Sequence, residues 1–91
     1  MLLYGGAGSS ETPTTILTIN NCTFNDNGTT AYGKTAIEIG NDYNTTYTLI
    51  VNNTKVYGFE QNLTTGTTLW SNKNSMDKDH LSVTVDDKKV Y

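Results

Sequence analysis

A chain of 91 residues has room for one domain with a small core, and its single cysteine, Cys22, rules out an intrachain disulfide brace. Six lysines, no arginine and nine acids leave a net charge of −3, which gives no electrostatic reason to expect nucleic acid or an anionic membrane. Lacking arginine, the chain also lacks the side chain best suited to a bidentate grip on phosphate or carboxylate.

Uncharged polar residues dominate instead, with 17 Thr and 11 Asn against one Pro. Thr is β-branched and suits a pleated surface, whereas Asn favours turns. The composition therefore reads as many short strands joined by tight corners, and no long amphipathic helix is visible.

In chain order, Met1–Tyr4 is apolar but too short for a signal peptide or a membrane span, and Gly5, Gly6 and Gly8 tether it to the rest of the chain. Residues 1–14 read as an N-terminal arm or cap. Residues 15–91 read as repeated strands. Leu17–Phe24 gives L-T-I-N-N-C-T-F, Leu49–Val56 gives L-I-V-N-N-T-K-V, and Val83–Val90 gives V-T-V-D-D-K-K-V. The copies are 32 and 34 residues apart and share apolar, any, apolar, Asx, Asx, any, any, apolar. Between them, Ala36–Ile39 and Thr68–Trp70 form a second strand position, with Ile37 matched to Leu69. The polar stretches Asn25–Lys34 and Asn62–Asp79 are expected to protrude as loops. Ser75 is a candidate cap for one short helical turn.

The pattern has a physical reading. Leu17, Leu49 and Val83 point inward, as do Ile19, Val51 and Val85 two residues later on the same strand face. Phe24, Val56 and Val90 fill the interior after the corner. The Asx pair bends the chain because Asn and Asp bond local backbone and tolerate the left-handed region. Stacking would align Asn20, Asn52 and Asp86 in one column and Asn21, Asn53 and Asp87 in the next, as side-chain ladders. No such unit closes its own core, so each must stack on neighbours about 4.8 Å away.

Few residues offer chemistry. Asp77, Asp79 and His80 form a D-x-D-H string that would suit a divalent cation, although a solvated loop is the plainer reading. Glu38, flanked by Ile37 and Ile39, faces out of its strand; with Glu60 or Asp42 it is a candidate for acid–base work. Trp70, Tyr43, Tyr47 and Tyr57 are candidates for a carbohydrate-contacting aromatic platform. Cys22 stands where the other copies carry Thr54 and Lys88, so it is expected to be exposed, and it has no positive neighbour to activate it. Sequons fall at Asn21, Asn27, Asn44, Asn52 and Asn62.

The I-N-N-C-T-F-N-D-N stretch at Ile19–Asn27 resembles the coil motif of right-handed β-helix proteins of the pectin-lyase-like superfamily. It is especially similar to Asn/Thr-rich surface or adhesin-like proteins. The likeness covers about residues 15–91. It implies an all-β, right-handed parallel β-helix of two to three coils with a repeat of about 32–34 residues. That scaffold carries lyases, hydrolases, adhesins and tail spikes, so fold does not name function. Its lyases typically use a basic residue, commonly Arg, with calcium-binding acids; its hydrolases use clustered Asp. This chain has no Arg and its acids are scattered, so neither catalytic pattern carries over, and no cofactor is expected.

The expectation is therefore a non-catalytic structural or binding segment of a larger extracellular or cell-surface protein, with carbohydrate as a candidate ligand. Its targeting signal would lie outside this chain. Two alternatives stand beside it. One is the C-terminal remnant of a polysaccharide lyase or hydrolase with its catalytic coils upstream. The other is a self-assembling module. The expected partner is either upstream coils or a second copy, meeting the open end built around Leu17 and Ile19. Charged corners at Asp86, Asp87, Lys88 and Lys89 are expected to stop stacking at the other end. Neither nucleic acid nor membrane insertion is expected.

Overall fold

The computed structural model describes residues 1–5, 14–26, 35–41, 45–63 and 65–91. Over these residues the protein is all-β, with nine strands: β1 (Leu2–Gly5), β2 (Thr14–Asn20), β3 (Thr23–Asn25), β4 (Ile37–Asn41), β5 (Thr46–Asn52), β6 (Lys55–Tyr57), β7 (Trp70–Asn72), β8 (Leu81–Val85) and β9 (Lys88–Lys89). They form three sheets, ordered β1-β4-β7, β2-β5-β8-β9 and β3-β6. Every strand pairing is parallel except β8–β9, which is antiparallel, so the second sheet is mixed.

The repeat sets the register. Leu17 pairs with Leu49 and Leu49 with Val83; Ile19 pairs with Val51 and Val51 with Val85. On β5, flanked on both sides, inward and outward residues alternate cleanly: Tyr47, Leu49 and Val51 are buried, and the residues between them are half-buried. β2 keeps the same phase but has a described neighbour on one side alone, so Leu17 is only half-buried and Ile16, on the outward phase, is 66% exposed. Side chains from both larger sheets meet in one cluster of Ile19, Ile37, Ile39, Tyr47, Leu49, Val51, Trp70, Leu81 and Val83, joined by Ala36 and Met76. Phe24 and Val56, from the two-stranded sheet, pack against it.

Several expectations need correction. Met1–Tyr4 does not lie across an end as a cap: Leu2–Gly5 pairs in parallel with β4, and the N-terminal ammonium donates to the Ala36 carbonyl. The partner of Ile37 is Trp70, not Leu69; the Leu69 carbonyl instead accepts the Ile37 N–H. Asn62–Asp79 is not one loop, since it contains β7 and an antiparallel bridge between Asn62 and Thr67. The cap of the turn after it is Asp77, whose Oδ1 accepts the Asp79 and His80 N–H groups, while Ser75 sits at φ +52° outside the turn. Most of the expected loop Asn25–Lys34 lies outside the described residues.

The third copy departs most. In the first two, one residue of the Asx pair is left-handed: Asn21 at φ 55° and Asn53 at φ 46°. In the third, both are, with Asp86 at 48° and Asp87 at 64°. One left-handed residue bends the chain and lets it continue to β3 or β6. Two in succession make the type I′ turn of a tight hairpin, so β9 folds back on β8. Val90 is consequently 49% exposed instead of filling the interior. The stop is a strand laid along the β8 edge, rather than charge repulsion alone.

Candidate functional site

The expected chemical residues are dispersed. His80 Nδ1 lies 2.7 Å from Asp77 Oδ1, the same oxygen that caps the turn, so this carboxylate is already committed to local structure. The His80 hydrogen bond, aided by the His80 charge and the two backbone N–H groups, holds the Asp77 carboxyl below its usual range against an opposing desolvation effect. Asp79 does not join them in a metal-ligand group: among the described residues no cluster of three or more His, Cys, Asp or Glu is placed to hold an ion. Glu38 is half-exposed on β4, Glu60 is exposed beyond β6, and Asp42 lies outside the described residues. Cys22 is exposed as expected, with its thiol donating to the Asn20 carbonyl at 3.2 Å.

The described aromatic residues make no shared platform. Tyr47 is fully buried on β5 because it falls on the inward phase, and Trp70 is 7% exposed on β7. Tyr57 is 53% exposed at the end of β6, and Tyr43 lies outside the described residues. Trp70 instead packs edge-to-face with Tyr91, ring centroids 5.7 Å apart at 68°. Lys78 Nζ sits 5.6 Å from the Tyr91 ring centroid, and the Tyr91 hydroxyl donates to the Met76 carbonyl. Together with Thr65, Asn72, Ser75 and Val90 the two rings line a cleft of about 320 Å³. No sequence signal marked it, since Trp70 and Tyr91 are far apart in the chain. Its polar walls are spent internally: the Asn72 amide both donates to and accepts from the Met76 backbone, and the Thr65 hydroxyl donates to the Trp70 carbonyl.

What the fold does present is an edge. Among the described residues β1, β2 and β3 are each terminal in their sheets, and all lie at the same end of the strand order. Their sequences, LLYG, TTILTIN and TFN, contain no charged residue and no proline. These are the features that would discourage further pairing, and they are missing here. At the opposite end β9 occupies the edge of β8, while β7 and β6 are terminal there among the described residues. Beside the open edge runs the Asx ladder. Asn52 Nδ2 donates to Asn20 Oδ1 at 3.0 Å, Asn53 Nδ2 donates to Asn21 Oδ1 at 2.8 Å, and the Asn53 N–H donates to Asp86 Oδ1 at 2.8 Å. The candidate site is thus a set of main-chain donors and acceptors three strands wide, flanked by two carboxamides.

No protein-family model, curated protein or solved structure matches the chain.

Proposed function

We propose that the chain is a non-catalytic structural and binding segment of a larger extracellular or cell-surface protein. In this reading it forms the terminal coils of a right-handed parallel β-helix, and its open edges receive a further layer of strands. The parallel pairings support the coil reading: β1, β2 and β3 each recur one repeat later as β4, β5 and β6 in matching register. Right-handed connection is the near-universal solution for parallel strands of one sheet. The observation that carries the function is the asymmetry of the ends. At one the β8 edge carries a hairpin, while β6 and β7 are terminal; at the other, among the described residues, all three strands are uncharged edges that can bind through the backbone. Hydrogen exchange tests this reading. In dilute monomer, β2 amides directed away from β5 exchange near the unprotected rate, while those bonded to β5 are protected. Uniform protection along β2 in the monomer would show that its outer edge is already covered, and would remove the proposed binding surface.

A further inference from the structure

The ladder has a direction. In each of its carboxamide pairs the later copy gives its nitrogen and the earlier copy receives on its oxygen: Asn52 Nδ2 to Asn20 Oδ1, and Asn53 Nδ2 to Asn21 Oδ1. Asn20 and Asn21 have used their oxygens in this way. Among the described residues no acceptor faces their Nδ2 groups, and both side chains are exposed at the corner of the open end. The outermost rung therefore presents two donors. The last rung, by contrast, ends in an aspartate, which can accept but has no amide to give onward.

Resting on the coil reading above, we infer that the open end binds a parallel strand layer carrying its own Asx pair in register with Asn20 and Asn21. The layer's side-chain oxygens accept from those two carboxamides. Its strand would follow the pattern apolar, any, apolar, Asx, Asx, with apolar residues seated over Leu17 and Ile19. A second copy of the chain fits less well in either orientation. Edge to edge about a twofold axis, its β2 would run antiparallel, which takes its Asx pair out of register with Asn20 and Asn21. Head to tail, it would have to use an edge of β8 that β9 already occupies. The uncharged β1, β2 and β3 edges supply affinity without selecting a partner; the two carboxamides select one.

The test extends the full chain. A copy of residues 35–69 is fused ahead of Met1, so that Leu2 follows the copied Glu38 at the spacing by which Ser71 follows Glu38. The extended chain should melt higher by roughly 5 °C or more, with new amide protection on the outer edge of β2. Within the added copy, Asn52→Ala combined with Asn53→Gly removes both acceptors while glycine keeps the left-handed corner. It should abolish most of the gain. Asn52→Asp in the copy keeps an acceptor and should retain the gain. If the extension stabilises equally with and without the Asx pair, the ladder inference is wrong while the coil reading stands. If it neither raises the melting temperature nor protects β2, the coil reading itself fails. A dimer of the unextended chain that survives Asn20→Ala would identify a second copy as the occupant and overturn the inference.

Discussion

Replacing Val51 by Asp tests the inward face at its centre. Val51 is 1% exposed on β5, paired in register with Ile19 on one side and Val85 on the other. Removing the valine forfeits about 2 kcal/mol of apolar burial. The carboxyl that replaces it has apolar neighbours on its own strand face, Leu49 above all, and even when neutralised it costs about 3 kcal/mol for want of partners. The sum, about 5 kcal/mol, rivals the whole stability of a domain this size, about 5–14 kcal/mol. The melting temperature should therefore fall by more than about 20 °C. Ile16→Asp provides the control. Ile16 is 66% exposed on the opposite phase of β2, so the same chemical change should shift stability by no more than about 0.5 kcal/mol. Circular dichroism melts of both variants decide the matter. A Val51→Asp chain that melts within a few degrees of the parent would mean that the inward and outward faces of β5 are wrongly assigned.

Asp86→Val places a β-branched side chain at a left-handed position of the hairpin turn and should cost about 1–2 kcal/mol; the readout is faster exchange of the Val90 and Tyr91 amides, both of which bond Val83. Tyr91→Ala opens the cleft over Trp70, so acrylamide should quench the single tryptophan more strongly, and unchanged quenching would mean that Tyr91 does not shield it. Asp77→Asn probes the capped turn through pH. Because the folded carboxyl titrates below its usual value, its contribution is complete above the ordinary aspartate value of about 3.9 and lost as pH falls through the folded value. The stability gap between parent and variant should persist down to that point and close below it; a gap that closes well above it would contradict the assignment. On the proposed non-catalytic reading, the chain should release no unsaturated or reducing sugar from pectic substrates, and release abolished by a single substitution here would overturn that reading.

Much of the strand pairing was legible because parallel stacking demands repetition. The L-x-I/V-Asx-Asx copies predicted the Leu17–Leu49–Val83 and Ile19–Val51–Val85 registers, and two of the Asn–Asn contacts, directly. The third copy misled because its letters match while its backbone does not. Asp86 enters the left-handed region and Asn52 does not, and residue type alone permits either. The role of Met1–Tyr4 was also hidden, because its partner strand shares no repeated motif with it. The candidate site was readable in part. The Asx columns were visible in sequence, but their donor-to-acceptor direction depends on side-chain orientation. The aromatic platform failed at Tyr47 for a simple reason: strand parity turns its ring inward.

The hairpin has a consequence for how the chain acquires its structure. Every parallel pairing joins residues about one repeat apart, so each requires a long loop to close before any contact repays the lost entropy. Among the described residues, the local pairings are β8 with β9 and the Asn62–Thr67 bridge. Isolated two-stranded ribbons form within microseconds, whereas topologies dominated by distant contacts take milliseconds to seconds. The fastest element is thus the β8–β9 hairpin, which is synthesised after β1 to β7. A nascent chain has to hold β1 to β6 without their finished edge until β8 and β9 emerge. β5 therefore gains its second neighbour, β8, later than its first, β2.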